Sequence, residues 1–413
     1  MTELVEGDRV DLVVGAPAHG GHCVARLGGD HGQVIFVRHA LPGERVTAEI
    51  TELHKGFLRA DAVVIHEASP DRVEPPCPWA GPNRCGGCDL QHASGDAQRQ
   101  WKASIVAEQL RRLAKVDWDV RVEELPGGLL GWRSRVRYAV DAAGRAGLLK
   151  HRSHEVVAID RCRIAHPAVQ ELDLLQLEWP DADALEAVAS TGGDVTTLAR
   201  PSGTGGVLPP DDPAEGTTLG GGGRVRLSGP AEVTELAAGR SWQVPPEGFW
   251  QVHPAAADTL VAAVLEMLRP VEGETTWDLY GGAGLFAGAV AEKTGGRTAV
   301  VESYRIGAEA ARKNLPSVDV VEARVDVALT RRRITGPVDL VVLDPPRAGA
   351  GAKVVRAVAA AGPRAVAYVA CDPASLARDV ATFQELGWRL TELRAFDCFP
   401  MTQHVECVAL LEP

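Results

Sequence analysis

No apolar run in this 413-residue chain approaches the roughly 18–20 residues needed to cross a bilayer, so no membrane-spanning helix and no membrane partner is expected. The opening Met1-Thr2-Glu3-Leu4-Val5-Glu6-Gly7-Asp8 is acidic and lacks the basic-then-apolar layout of a signal peptide. A cytoplasmic protein is expected. Positive charge is also scarce: 43 Lys and Arg face 55 Asp and Glu, a formal net charge of −12 that argues against a uniformly basic nucleic-acid coat. Internal repeats are absent. The eight cysteines of a cytoplasmic chain do not make a disulfide framework. With 45% apolar and 24% charged residues the composition is that of an ordinary globular protein, which excludes wholesale disorder.

The charge that is present is polarised. Between Arg99 and Arg163, fourteen Lys or Arg stand against eight Asp or Glu, a local net of +6, leaving −18 for the remainder. A solvated helix face would explain such a stretch. Arginines beside aromatics, as in Trp132-Arg133-Ser134-Arg135-Val136-Arg137-Tyr138, point equally to a phosphate-facing surface.

Residues 1–70 read as about five short strands separated by Gly, Pro and His turns, the pattern of a small oligonucleotide-binding-type barrel. A cysteine-bearing Pro/Gly segment follows from Pro75 to Asp89. From Ser94 to Lys115 the spacing of Trp101, Ile105, Val106, Leu110 and Leu113 predicts an amphipathic helix. Arg133 to Val157 reads as paired strands turning at Ala143-Gly144-Arg145. The Gly- and Pro-rich stretch 191–223 reads as a flexible insertion of little function. This places a central α+β domain at 71–244. Beyond Pro245, strands alternate with helices, predicting a C-terminal doubly wound α/β sheet over 245–413.

Ligands of such sheets sit beyond the carboxyl ends of the strands, and the distinctive motifs fall there. Gly281-Gly282-Ala283-Gly284 ends one strand and opens a helix, so its backbone N–H groups can face a nucleotide-like ligand. Glu302 ends the next strand, where a carboxylate commonly grips ribose hydroxyls. In Asp344-Pro345-Pro346-Arg347 the two prolines make a rigid exit that holds Asp344 at the sheet edge. A sharp strand-ending turn would also use prolines, but it does not explain why Asp and Arg bracket them. Cys371 ends a buried strand. Alone it would read as core filler, and its ligand-facing position raises the nucleophile reading. Glu406 lies in an otherwise apolar strand, where a carboxylate serves either proton transfer or an ion pair. Cys77, Cys85, Cys88 and the distant Cys162 could hold zinc or an iron–sulfur cluster, although C-x7-C-x2-C does not match the paired C-x2-C units of a zinc ribbon.

In order and spacing these motifs resemble the RNA uridine 5-methyltransferases that use S-adenosylmethionine, in the branch with an N-terminal TRAM barrel and a 4Fe–4S cluster. The likeness spans nearly the whole chain. It adds Phe249-Trp250-Gln251-Val252-His253, Leu376-Ala377-Arg378-Asp379 and Phe399-Pro400-x-Thr402-x-His404-Val405-Glu406 to the motifs above. It implies a TRAM barrel, a central RNA-contacting domain with the cluster, and a methyltransferase domain of class I fold. It also implies that Gln251, Tyr280, Glu302 and Asp344 line the cofactor site, with Asp326 a further contact. Cys371 would be the nucleophile, Glu406 the general base, and Cys77, Cys85, Cys88 and Cys162 the cluster ligands. The expected reaction is methylation of carbon 5 of one uridine in structured RNA, ribosomal rather than transfer, through a Cys adduct at carbon 6. A monomer acting on RNA and not DNA is expected. The sequence departs from the family at Gly281, Leu285 and His253, where Cys, Asn and Asn are usual. Two other readings stand beside this one: methylation at a different RNA position, and an RNA-binding or assembly protein with a vestigial site.

Overall fold

The computed structural model describes residues 4–29, 31–203 and 223–413. Five strands, β1 (Arg9–Ala18), β2 (His22–Leu27), β3 (Gln33–Arg38), β4 (Arg45–Leu53) and β5 (Leu58–Glu67), close into a barrel in the order β1-β2-β3-β5-β4. Alternation drives the closure: Val46, Ala48 and Ile50 of β4 point into the barrel core with Ile35 and Val37 of β3.

Helix α1 (Gly95–Gln109) starts where Ser94 Oγ accepts from the Ala97 N–H, and it serves two cores at once. Trp101 and Ile105, four residues apart, pack into the barrel core, while Val106 and Leu110 join the core of the C-terminal sheet. After β6 (Val122–Glu124) come β7 (Arg135–Val140), β8 (Ala146–Leu149), β9 (Val156–Ala158), the short helix α2 (Pro167–Gln170), β10 (Ala182–Ala189), β11 (Val195–Pro201) and β12 (Val225–Ser228). Six of these strands form a sheet ordered β12-β11-β10-β7-β8-β9. The expectation of a flexible insertion over 191–223 therefore fails for its first part. Val195–Pro201 is a strand between β10 and β12, with Thr196 to Ala199 buried, while 204–222 lies outside the described residues.

A hairpin, β13 (Val233–Ala237) and β14 (Arg240–Val244), leads to α3 (Ala256–Leu268) and then to β15 (Thr276–Leu279), α4 (Leu285–Thr294), β16 (Thr298–Glu302), α5 (Arg305–Asn314), β17 (Asp319–Glu322), α6 (Val325–Thr330), β18 (Leu340–Leu343), α7 (Gly351–Ala361), β19 (Ala365–Ala370), α8 (Pro373–Glu385), β20 (Arg389–Asp397) and β21 (Glu406–Glu412). The sheet runs β17-β16-β15-β18-β19-β21-β20-β6. Its first five strands are parallel and β21 is antiparallel to β19. The apolar strands β18 and β19 are buried throughout, as a sheet covered on both faces requires. Helix α1 and strand β6, which the sequence places in the central domain, pack against this sheet, β6 as its edge strand beside β20.

The basic region is a second correction. Trp132, Arg133, Ser134, Val136, Arg137 and Tyr138 are all buried, and Arg135 is ion-paired to Glu235 at 3.1 Å. Lys102 is fully buried against Asp397 at 2.5 Å. These four cations hold layers together and cannot present a phosphate-facing surface, whereas Arg111, Arg112, Arg121, Arg152, Arg161 and Arg163 of the same region are exposed, so the correction applies to the buried run and not to the whole region.

Candidate active site

The glycine turn joins β15 to α4. Gly284 precedes the helix at φ 93°, and a Cβ there would lie 2.5 Å from Leu315 Cδ1, so both the backbone and the space call for glycine. A Cβ at Gly281 would stand 2.8 Å from Val300 Cγ1, a physical reason for glycine where the resemblance leads one to expect cysteine. Tyr280, a non-glycine, is held at φ 68° to make the turn. Glu302 braces the site: its Oε2 accepts from the Gly282 N–H at 3.0 Å and its Oε1 from the Tyr304 N–H at 2.5 Å. A cavity beside this turn is lined by Phe249, Gly282, Ala283, Glu302, Tyr304 and Ile306, apolar walls with one carboxylate. Gln251 is buried two residues beyond Phe249.

A line of buried acids runs from this cavity to the nucleophile. Burial, and then Ala287 and Glu302, set Asp278: its pKa is pushed up to about 7 although its Oδ2 accepts from the Ala287 N–H at 2.8 Å. Its other oxygen has no hydrogen-bond partner. Asp344 is pushed up to about 8 by burial, Asp278 and Glu302. Burial and Asp344 raise Glu406 well above the usual carboxylate range, with Arg347 opposing. Buried carboxylates that repel one another, one of them with an unpartnered oxygen, are suited to a cationic ligand, as a sulfonium and an α-ammonium would supply. The residues at this edge therefore fit S-adenosylmethionine.

Cys371 stands at the end of β19. Burial pushes its thiol well up, Glu406 and Asp344 add to the rise, and Arg347, which hydrogen-bonds the sulfur, opposes it. A second cavity is lined by Cys371, Asp372, Arg347, Gln403, His404, Trp101 and His19. His19 comes from the barrel's β1–β2 turn, and its Nε2 lies 3.0 Å from Asp372 Oδ2. Asp372 in turn caps α8, accepting from the Ser375 N–H at 2.7 Å. His404, half-buried and lowered to about 3 by desolvation and Arg347, is neutral and accepts from Arg347 at 3.1 Å.

Asp344, Glu406 and Cys371 are thus brought together, with Glu302 one carboxylate further along. Tyr280, which opens the glycine turn, also feels Asp379 and Asp326; burial and these acids push its phenol up to about 12. Asp326 is tied to Arg324 at 3.0 Å and Lys353 at 3.3 Å. Asp278, His19, Trp101 and His404 were not legible as site residues. Arg347 gave a signal through its place beside the paired prolines, and Asp278 and His404 stand inside motifs that carry the resemblance, while nothing marked His19 or Trp101 for the site.

Cys77, Cys85, Cys88 and Cys162 line one largely apolar cavity with Leu148, Ile159 and Ile164. Burial raises the thiols of Cys88 and Cys162, and sulfur neighbours sulfur in both cases. Among the described residues no three His, Cys, Asp or Glu side chains are gathered tightly enough to hold a single metal ion. Four cysteine sulfurs lining one cavity are the donor type that a 4Fe–4S cubane takes, and its corners spread its ligands further apart than one ion does.

Known proteins agree with this geometry. The TRAM domain family matches residues 3–63, and the tRNA (Uracil-5-)-methyltransferase family matches residues 305–413. An uncharacterized RNA methyltransferase of Streptomyces avermitilis is 50% identical over 98% of this chain and 99% of its own length. A second, from Bifidobacterium longum, is 38% identical over 94% of this chain and 93% of its own. The crystal structure of the Pyrococcus abyssi tRNA (uracil-54, C5)-methyltransferase, in complex with S-adenosyl-L-homocysteine, superposes with a TM-score of 0.72 at 24% identity, covering 97% of this chain and 100% of that one. Barrel, sheet and site define an S-adenosylmethionine-dependent RNA methyltransferase. The chain belongs to the TRAM-bearing RNA (uracil-5-)-methyltransferase family and is an RNA-methylating enzyme.

Proposed function

We propose that this enzyme methylates carbon 5 of a specific uridine in structured RNA, ribosomal in preference to transfer RNA, through a covalent adduct of Cys371 with carbon 6 of the base. The observation that carries the reading is the juxtaposition of Cys371 with Glu406 at one sheet edge, with Arg347 hydrogen-bonded to the sulfur. Carbon 5 of uracil is a poor nucleophile, and addition of a thiolate at carbon 6 converts it to an enolate carbon. Arg347 stabilises the sulfur as it becomes anionic in a site where burial opposes the charge.

S-adenosylmethionine supplies the methyl group as a sulfonium, leaving as neutral S-adenosylhomocysteine. Glu406 then takes the carbon-5 proton as the carbon–sulfur bond to Cys371 breaks, restoring the double bond and the thiolate; one proton is released per turnover. Glu302 and Tyr280 would hold the nucleoside end of the cofactor, Gln251 would border it, and Asp344 would line the cofactor site and border the target base. Cys77, Cys85, Cys88 and Cys162 would hold a 4Fe–4S cluster with no open iron position, a structural element of the RNA-contacting part. The ribosomal preference rests on the TRAM barrel combined with this four-cysteine set.

The test is methyl transfer to RNA from cells lacking the protein, using enzyme purified without oxygen. Nucleosides from separated ribosomal and transfer RNA are read by mass spectrometry. New 5-methyluridine in ribosomal RNA alone supports the full reading; its appearance in transfer RNA alone corrects the substrate. A methyl group on another atom overturns the chemistry.

A further inference from the structure

The loop between β20 and β21 carries Gln403, His404 and Val405 into the Cys371 cavity and delivers Glu406, yet it has no sheet of its own. Its backbone is held by residues that follow Cys88. Leu90 N–H donates to Met401 O at 2.9 Å, Gln98 Oε1 accepts from the Met401 N–H at 2.7 Å, and Lys102 Nζ donates to Phe399 O at 2.9 Å.

Asp89 adds a link that the others lack. It is buried, and its Oδ2 accepts from the Gln403 N–H at 3.3 Å while its Oδ1 accepts from Arg38 Nη2 in β3 of the barrel, also at 3.3 Å. The barrel turn closes on it from the other side, where a Cβ at Gly21 would come within 3.0 Å of Asp89 Cβ. That same turn carries His19 to Asp372, beside the nucleophile. On the loop side, Gln403 precedes His404, which accepts from Arg347, and Arg347 bonds Cys371.

We infer that Asp89 is a positioning residue for methyl transfer, fixing the barrel turn and the His404–Arg347–Cys371 chain in one geometry; the inference rests on Cys371 as the nucleophile. Only a carboxylate serves both donors. An Asn offers one acceptor and turns an NH2 group towards the other donor. The cysteine segment is thereby joined to the chemical step, because Asp89 directly follows Cys88. Disturbing that segment should be felt at Cys371 before it is felt at the glycine turn.

The experiment compares full-length wild type, Asp89→Asn and Arg38→Gln, all purified without oxygen. It measures kcat and KM on RNA, the affinity for S-adenosylhomocysteine, and the rate of Cys371 alkylation by iodoacetamide across pH. Asp89→Asn should lower kcat by about tenfold or more, since small misplacements of reacting groups are costly. Its affinity for S-adenosylhomocysteine should stay within about twofold, because the glycine-side cavity is untouched. Its alkylation profile should move to higher pH as Arg347 loses its hold, and Arg38→Gln should shift it the same way by less. An unchanged alkylation profile and kcat overturn the inference, as does loss of nucleoside binding in step with kcat, which would mark a general folding defect. If wild type methylates no uridine, the proposed function fails, while the alkylation profiles still decide the role of Asp89.

Discussion

Cys371 and Glu406 stand level across an antiparallel strand pair. Ala370, the last residue of β19, pairs with Cys407, so the next step outward sets Cys371 opposite Glu406, the first residue of β21. The five parallel strands alone would not do this. The reversed β21 brings the start of one strand to the end of another, so two residues thirty-five apart in sequence share one edge.

Removing either group separates its role. Cys371→Ala should abolish 5-methyluridine formation. Glu406→Gln should slow release of the methylated RNA by a factor on the order of 10²–10⁴, the usual contribution of a general base. Pre-steady-state methyl transfer beside product release distinguishes the two.

Ligand affinity should depend on pH. With Asp278 near 7 and Asp344 near 8, both carboxyls are largely protonated at pH 6, and a cationic ligand favours their ionised forms. Binding of S-adenosylmethionine should therefore release protons and tighten from pH 6 to 9, by up to about tenfold per pH unit for each proton released. Calorimetry in buffers of different ionisation enthalpy reads the release. An affinity flat with pH contradicts the account.

Stability of the ligand-free chain has the opposite slope. Asp344 is raised in the folded state from its ordinary 3.8 to about 8, so between those values the folded protein binds the extra proton and stability falls as pH rises. Asp344→Asn should therefore melt higher than wild type, with an advantage that grows up to about pH 8 and then levels. Differential scanning calorimetry at several pH values checks this.

Lys102 and Asp397 make a buried pair, 0% and 1% exposed. Lys102→Met should cost on the order of 3–5 kcal/mol by stranding the Asp397 charge, while Lys102→Met with Asp397→Leu should recover most of it. Denaturant titration of the three variants measures the difference.

The four-cysteine cavity predicts iron and acid-labile sulfide in anaerobically purified protein. Both should be lost in Cys85→Ser and Cys162→Ser. Iron and sulfide assays with the visible spectrum decide it, and a stoichiometric zinc ion in their place would contradict the proposal.

The sequence showed the barrel, the sheet and the strand-end motifs, because period-two alternation and Gly/Pro punctuation are local signals. The partners of those motifs were not local. Asp89 meets Gln403 across 314 residues and Lys102 meets Asp397 across 295, and no spacing announces either contact. The same limit explains why one part of the basic region was misread. Arg133, Arg135 and Arg137 look solvent-facing as a charged run, but β7 lies inside its sheet between β10 and β8. Strand β11 was hidden by the Gly- and Pro-rich stretch that follows it.

The most direct test of the central claim is to trap the adduct. Glu406→Gln enzyme is incubated with S-adenosylmethionine and uridine-containing RNA from cells lacking the protein, denatured, and digested for peptide mass spectrometry. The account predicts a methylated uridine nucleotide on the peptide that contains Cys371. It is contradicted if no adduct forms on that peptide while Cys371→Ala still produces 5-methyluridine.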